Sequence, residues 1–497
     1  MSLLIPNSLA LAMPFHNLSR KSAALYLGAT PYANSSRLFP RHLHYASVPV
    51  HKNATMRKSD TEDGRWPTMI FSHGLGGGRN SYSYIAGSLA SHGVVVLCPE
   101  HRDGSAVVSF IRLKDQVNRF FASHTHRLVP YNRISHTVSP EVYEAREEQL
   151  RIRLWEMGLI HDALLAMDNG DQFNNLNLST PSLDQFKGQL DVHRPGSIIF
   201  AGHSFGAATM HQLLKSTYYA DEPEIAAMEK PLFTPAKDSS IRKQITAKSV
   251  TMLLDMWCMP LLAPNSAPLF NLPLPAYADT PSAPGGKALL AVESESFYKW
   301  TEQLHVKARI LSPDPSAKVV TPELYEKPSG IKLSEPNFFY VVNSAHLSQS
   351  DFGVLFPMLT KKIFDAEQPE RALRLNLRAQ LQLLRTNGIP IARTFNGDLI
   401  DGAHDDKLDK LVKVTSQQAP NDGIIDDKAI FDRSGNDSID CWKWIDIIGL
   451  GDAGEKEKGK TATEQVEEGE EVMKGELEPS EQPTNVTPVT IAVNAAA

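Results

Sequence analysis

The sequence predicts an α/β fold with a mostly parallel, covered central sheet. Two observations lead to this prediction. The chain has 497 residues, of which 42% are hydrophobic, which is enough for one large core. Short apolar runs of strand length alternate with longer segments in which apolar residues recur at helical spacing, as expected of strands joined by helices.

Six apolar runs are predicted to be strands. In chain order they are "TMIFSHGLGGG", "GVVVLCPEHRDGS", "SIIFAGHSFGAAT", "SVTMLLDMW", "KALLAVES" and "NFFYVVNSAH". Between the second and third, Leu150, Leu154 and Met157 begin a helical repeat that continues to Met167. Residues 366–386 predict one more helix, which closes the domain.

Composition divides the chain into four predicted parts. The core of the prediction is a catalytic domain over residues 63–390, interrupted by two insertions at about 218–247 and 260–286 that are rich in proline or charge. The flanking parts are an N-terminal surface-wrapping extension (1–62), a weakly structured C-terminal extension (391–450) and a disordered acidic tail (451–497).

Charge and cysteine content exclude several classes of protein. The formal net charge is −7, and the tail, with 11 acidic and 4 basic residues, accounts for all of it. The chain has no excess of basic residues, so its charge gives no indication of a nucleic-acid partner. Three separated cysteines, Cys98, Cys258 and Cys441, give neither a disulfide framework nor metal-ligand spacing, which favours a reducing, cytoplasmic location over secretion. No apolar run has the length of a membrane span.

The third predicted strand ends in a G-x-S-x-G pentapeptide, Gly202 to Gly206, with Ser204 at its centre. Serine and glycine also favour ordinary turns, so the pentapeptide alone is a weak signal. An apolar strand precedes it, however, and small residues at helical spacing follow it. This context predicts the strand-to-helix elbow of an α/β-hydrolase, in which Ser204 is the nucleophile.

A serine nucleophile needs a histidine base, which in this fold comes later in the chain. Only His346 directly follows a strong predicted strand, "NFFYVVNSAH", so it is the predicted base. The other three candidates lie in predicted helices or in a weakly patterned acidic region: His211, His305 and His404.

The base in turn needs a carboxylate to orient it. Asp255 ends the strand "SVTMLLD", where a buried charge requires a partner, and it is the predicted acid. Asp351 is the alternative because it is close to His346 in sequence. We expect Asp351 instead to cap the helix that begins "DFGVLFPML".

The negative oxygen formed during ester hydrolysis needs backbone N–H donors. One is expected from Phe205, directly after the nucleophile. The glycine-rich "FSHGLGGG" predicts the second, with Leu75 as the donor. The competing interpretation, a phosphate-binding loop, lacks the lysine and Ser/Thr of a P-loop.

Taken together, "FSHGLGG", "LASHGVVVLCPEHRDGSA", "GHSFGAAT", "LLDMWCMPL" and "NSAHLSQSDF" resemble, in order, the platelet-activating factor acetylhydrolases of the plasma and intracellular monomeric type. The resemblance covers about residues 66–365. It implies an α/β-hydrolase with Ser204, Asp255 and His346 as triad and Leu75 and Phe205 as anion hole. It further implies hydrolysis of a short or oxidised sn-2 acyl chain of a phospholipid, without calcium, another metal or an organic cofactor.

The sequence departs from this family at Ala207, where a second glycine is common, and in the two insertions, which bear on acyl specificity. The segment "FGVLFPMLTKKIF" is interpreted either as a peripheral membrane contact or as a core helix, and "EHRDGS" as a charged network beneath the site. Two alternative functions stay open: a general carboxylesterase or lipase, and a non-catalytic scaffold of the same fold.

Overall fold

A computed structural model describes residues 50–112 without 52, 126–172, 182–395 without 365 and 367, and most of 424–451, with three short strands before residue 49. The predicted acidic tail from residue 452 onward and most of the predicted N-terminal extension lie outside the described residues. His404 also lies outside them.

A nine-stranded sheet forms the centre of the described structure, in the order β1-β5-β4-β9-β10-β11-β12-β15, with β8 paired beside β4. Its pairs are parallel except at the two edges, where β1–β5 and β12–β15 are antiparallel. The strands are β1 (Ser2–Leu4), β4 (Trp66–Ser72), β5 (Val95–Cys98), β8 (Leu190–Asp191), β9 (Ile199–His203), β10 (Thr251–Leu254), β11 (Leu289–Ser294), β12 (Asn337–Val341) and β15 (Trp442–Trp444).

Six further strands of the described structure form three two-stranded sheets outside the large sheet. They are β2 (Met13–Pro14) with β3 (Ser47–Val48), β6 (Val108–Arg112) with β7 (His126–Pro130), and β13 (Thr394–Phe395) with β14 (Ile424–Ile425). All six predicted strands of the sequence are present in the large sheet, and their side chains are buried almost without exception. Burial on both faces explains why these strands read as continuous apolar runs.

Helices cover both faces of the sheet. The helices are α1 (Ser83–Ser91), α2 (Pro140–Asn169), α3 (Phe205–Tyr218), α4 (Pro223–Ala226), α5 (Ser240–Gln244), α6 (Ala267–Phe270), α7 (Glu295–Tyr298), α8 (Thr301–Ile310), α9 (Phe352–Leu355), α10 (Pro357–Phe364) and α11 (Pro369–Thr386). On one face, α2 and α3 pack over a core that includes Leu154 and Phe200. On the other, α1 and α11 pack over a core that includes Leu89 and Leu373. Sheet and helices form the α/β-hydrolase fold.

The predicted insertion at 260–286 is part of the core. It winds through short helical turns, and its apolar side chains Leu269, Leu274 and Tyr277 are almost completely buried. The Tyr277 hydroxyl donates to the Leu311 carbonyl at 2.7 Å. The prolines therefore set turns in a segment that packs against the sheet, rather than in a loop exposed to water.

The last strand, β15, was not among the predicted elements. Its Trp442 is buried, stacks on Phe339 with ring centres 4.9 Å apart, and donates from Nε1 to the Ile430 carbonyl at 2.8 Å. Residues beyond the predicted domain limit thus supply one edge of the sheet.

Candidate active site

Ser204 lies in a sharp turn between β9 and α3 with φ at 56°, a conformation that costs energy for any residue except glycine. The two flanking glycines are required by close packing. A Cβ on Gly202 would lie 2.4 Å from the Gly206 carbonyl oxygen, and one on Gly206 would lie 2.0 Å from the Ser72 carbonyl oxygen. The spacing of the pentapeptide therefore has a steric cause, and it places Ser204 at the carboxyl edge of the sheet.

Asp255 follows β10, the strand next to β9, and is fully buried. Its N–H donates to the Val292 carbonyl at 2.8 Å, and its Oδ1 accepts the N–H of Ser294 at 2.6 Å. Burial raises the pKa of Asp255, against the lowering effect of Lys307. A backbone hydrogen bond also connects the two turns: Ser204 N–H donates to the carbonyl of Leu254, the residue before Asp255, at 2.9 Å.

His346 follows β12, and its Nδ1 lies 3.1 Å from Asp255 Oδ2. Its ring stacks on Phe297, with ring centres 4.2 Å apart and planes 4° apart, and lies 4.4 Å from the ring of His203. Burial and the charge of Lys307 lower the pKa of His346 to about 3. At neutral pH the ring is therefore uncharged, and a proton on Nδ1 donated to Asp255 leaves Nε2 free to accept one.

Asp351, the alternative acid, is engaged elsewhere. Its carboxylate accepts the backbone N–H of Ser83 at 2.6 Å and of Tyr84 at 2.9 Å, at the start of α1. The expectation that it caps its own helix was wrong, because no side-chain capping bond forms at α9. Asp351 instead anchors the loop after His346 to the N-terminus of a helix more than 250 residues earlier in the chain.

Two of the other three candidate bases lie on helices of the described structure. His211 lies on α3, where it is fully buried, and neither ring nitrogen has a hydrogen-bond partner among the described residues. His305 lies on α8, where its Nδ1 contacts the backbone of Gly451.

The loop "GLGGG" runs directly beside Ser204. A Cβ on Gly74 would lie 2.9 Å from Ser204 Cβ, so only glycine fits there. Gly74 N–H donates to the Tyr82 hydroxyl at 3.0 Å, which lies 2.9 Å from Nδ1 of His203. Leu75 follows Gly74, and the N–H of Phe205 is the first of α3, so it has no acceptor within its helix.

The "EHRDGS" network was predicted to lie beneath the site, and its charges do pair with those of α2. Asp103 and Arg153 form a completely buried ion pair at 2.7 Å. Arg153 also donates to the His73 carbonyl at 2.9 Å, and its guanidinium lies 4.4 Å from the centre of the Phe205 ring. One arginine thus contacts both segments that carry the predicted anion-hole donors.

His203, Asp255 and His346 are the one group among the described residues whose ligand atoms could hold a metal ion, lying within 4.8 Å of one another. The Nδ1 atom of each ring is already engaged. His346 Nδ1 bonds Asp255, and His203 Nδ1 bonds Tyr82. The arrangement fits a hydrogen-bonded pair beside a serine better than a metal centre, and we assign no metal to it.

Sequence reasoning missed several residues around the pair. Glu293 ends a buried strand, as Asp255 does, and the same criterion applied to "LLAVES" would have found it. Phe297 and Lys307 had no comparable signal, because aromatic and basic residues are ordinary in helices.

The family model described as "Platelet-activating factor acetylhydrolase, isoform II" matches residues 20–265. Among curated proteins, a "Putative phospholipase A2" of Schizosaccharomyces pombe is 26% identical over 371 residues, which are 71% of this chain and 74% of that protein. The platelet-activating factor acetylhydrolase of Canis lupus familiaris is 27% identical over 60% of this chain and 55% of its own length. That of Cavia porcellus is 34% identical over 34% of this chain and 35% of its own length.

The match thus spans about three quarters of the Schizosaccharomyces pombe protein but only half to a third of these two mammalian relatives. Among solved structures, a ferulic acid esterase from Streptomyces cinnamoneus aligns with 65% of this chain and 67% of its own, at 13% identity and a TM-score of 0.32. That structural likeness is too distant to bear on activity.

Proposed function

Because the chain belongs to the platelet-activating factor acetylhydrolase family and is a carboxylic ester hydrolase, we propose that it cleaves the sn-2 ester of phospholipids carrying a short or oxidised acyl chain. The observation that carries the proposal is the elbow at Ser204 beside the His346–Asp255 hydrogen bond of 3.1 Å. An acyl-enzyme mechanism requires a positioned nucleophile and an oriented base, and these two features would supply them.

The proposed mechanism assigns one step to each group. His346 Nε2 takes the proton from Ser204 as Oγ attacks the sn-2 carbonyl carbon. Asp255 stabilises the imidazolium, and the N–H groups of Leu75 and Phe205 stabilise the oxyanion. His346 then protonates the leaving lyso-phospholipid, and water, deprotonated by the same ring, hydrolyses the acyl-enzyme.

The proposed location is cytoplasmic with peripheral contact to membranes. All three cysteines are free, as a reducing compartment requires. No helix among the described residues combines the length and the apolarity of a membrane span. The segment after the His346 loop, α9 with α10, exposes Val354 (41%) and Met358 (86%), and we assign it the contact with lipid.

The substrate proposal is tested with the wild type and Ser204→Ala, in a calcium chelator, on three esters: acetyl-phosphocholine lipid, long-chain phosphatidylcholine and a p-nitrophenyl ester. Serine-dependent hydrolysis that favours the acetyl lipid supports the proposal. Serine-dependent hydrolysis of the small ester alone would make the chain a general carboxylesterase. A lack of hydrolysis, with no labelling of Ser204 by a fluorophosphonate, would favour a non-catalytic scaffold.

Membrane contact predicts that Met358→Glu lowers hydrolysis of a substrate embedded in vesicles about tenfold, because a charge at the lipid boundary opposes docking. The same variant should hydrolyse a water-soluble ester at the wild-type rate. Leu159→Glu, at another exposed apolar residue (44%), is the matched control. Equal rates of both variants on vesicles would contradict the assignment.

A further inference from the structure

A second pair of charged side chains lies beside Asp255. Glu293 is on β11 and Lys307 is on α8, and both are completely buried. Lys307 Nζ forms an ion pair with Glu293 Oε2. A fully buried ion pair is weak evidence for stability, because removing both charges from water costs about as much as their attraction returns. Its position calls for another explanation.

The pair lies beside both partners of the proposed triad. Glu293 directly precedes Ser294, whose N–H donates to Asp255 Oδ1 at 2.6 Å, and Glu293 Oε1 has no partner at hydrogen-bond distance among the described residues. On the other side, Lys307 Nζ lies 5.2 Å from the centre of the Phe297 ring, which stacks on His346.

The charges of Asp255, Glu293 and Lys307, all completely buried, limit how many protons the three side chains can hold together. Ionised carboxylates only accept hydrogen bonds, so the two carboxyl groups attract each other only when one of them carries a proton. With Lys307 charged, one shared proton makes the group of Asp255, Glu293 and Lys307 neutral, whereas any other proton count leaves a net charge buried. Burial raises the pKa of Glu293, against the opposing charge of Lys307, and the charge of Asp255 raises it further. The proton therefore belongs on Glu293.

We propose that Glu293 and Lys307 are positioning residues for the triad: Lys307 supplies the positive charge that keeps Asp255 ionised, and Glu293, which carries the shared proton, holds Lys307 in place. The inference rests on the proposed function, because it concerns the orientation and charge of the base in that reaction. Asp255 must be ionised to stabilise the imidazolium that forms on His346, and Lys307 is the cation that makes this possible inside the protein. Three further titratable groups face these residues from neighbouring elements: His203 at the end of β9, Cys258 after β10 and His346 after β12.

The test compares kcat, KM and the pH dependence of kcat/KM for three variants of the full chain. Lys307→Met should lower kcat about tenfold or more. It should also move the acid limb, the fall of kcat/KM at low pH, up by about one pH unit, because Asp255 and His346 both gain protons more easily. Glu293→Gln replaces a protonated carboxyl by an amide donor, so kcat should stay within about threefold of wild type. Lys307→Arg keeps the charge and should leave the acid limb in place, whatever its effect on kcat.

Lys215→Met is the matched control. Lys215 is a second completely buried lysine, but it donates to the Phe270 carbonyl at 3.2 Å and lies near the far end of α3. Its removal should leave the acid limb unchanged.

If the ion pair is purely structural, Glu293→Gln and Lys307→Met should lower kcat by the same factor, and the acid limb should not shift in either variant. This result would overturn the proposal. If Lys307→Met does not fold, a loss in Glu293→Gln of about a hundredfold in kcat, or a shifted limb in Lys307→Arg, overturns it equally. Wild-type hydrolysis that survives Ser204→Ala would instead refute the proposed function, so the two failures are distinguishable.

Discussion

At the scale of single residues, the site combines a strained serine with a partly buried histidine that bonds a buried aspartate. The φ of 56° at Ser204 and of 42° at Asp255 place both residues in a region that favours glycine. Neither strain helps the chain to fold, and both turn a side chain toward the same edge of the sheet. Strain held at two neighbouring strand ends is the mark of a site shaped for chemistry rather than for stability.

Asp255→Asn is predicted to lower kcat by about 10³- to 10⁴-fold while KM changes little, because the amide cannot stabilise the imidazolium on His346. His346→Ala should lose at least as much. Initial rates on the acetyl lipid measure both. Asp351→Asn, which changes the alternative acid, is the control and should retain most of the activity. The reverse ranking of the two aspartates would contradict the assignment.

The pH dependence follows from the same burial. Burial raises the pKa of Asp255 above its ordinary 3.8 and lowers that of His346 to about 3, so on acidification Asp255 gains its proton first. The wild-type kcat/KM should therefore fall in acid with an apparent pKa above the ordinary 3.8 of an aspartate, and this apparent pKa belongs to the coupled carboxyl groups. In Asp255→Asn the acid limb should move to lower pH. An unmoved limb in that variant would show that another group controls it.

At the scale of elements, the site depends on how closely the glycine loop after β4 approaches the turn at Ser204. A Cβ on Gly74 would lie 2.9 Å from Ser204 Cβ, so only glycine allows this approach, and the Tyr82 hydroxyl accepts the N–H of Gly74 at 3.0 Å. Arg153 from α2 holds the preceding residue, His73, by its carbonyl. The glycine loop of the proposed anion hole is thus held by Tyr82, just before α1, and by Arg153 of α2.

Gly74→Ala is predicted to reduce kcat about tenfold to a hundredfold, because the new Cβ would lie 2.9 Å from Ser204 Cβ and push the loop away from the oxyanion. Gly87→Ala in α1 is the matched control, since a Cβ there meets nothing within 4 Å. It should keep full activity and raise the free energy of unfolding by up to about 1 kcal/mol. Equal kcat values for the two variants would refute the role of the loop.

The elements that sequence patterns predicted are those whose apolar residues form a continuous run or a repeat at helical spacing. Apolar runs identified β4, β9 and β12, and helical spacing identified α2 and α11. The same patterns could not identify β15, because a strand of three residues carries too little periodicity. The contact between Asp255 and His346 could be predicted from their places after strands, whereas Lys307 could not be found, since its proposed role depends on a contact across the fold with β11.

At the scale of the whole molecule, residues far apart in sequence close the sheet. The strand β15 adds an edge beside β12, and Gly451, just beyond it, bridges to Val319 and contacts His305. The His346 loop leaves that same β12. The C-terminal strand therefore supports the strand from which the base is positioned.

Trp442→Ala is predicted to lower the free energy of unfolding by about 3 kcal/mol, because it removes a buried aromatic side chain that stacks on Phe339. Chemical denaturation monitored by circular dichroism measures the change. Trp155→Ala, at a tryptophan that is 57% exposed on α2, should change the free energy by less than about 0.5 kcal/mol. Similar losses in both variants would show that β15 does not support the sheet.

The central claim is that Ser204 is the nucleophile for phospholipid ester hydrolysis, and stoichiometric labelling tests it most directly. The wild type is titrated with a fluorophosphonate while acetyl-lipid hydrolysis is followed, and the labelled peptide is located by mass spectrometry. The account predicts a single label on Ser204, slowed by excess acetyl lipid, with hydrolysis lost in proportion to labelling. Hydrolysis that persists after Ser204 is fully labelled would contradict it.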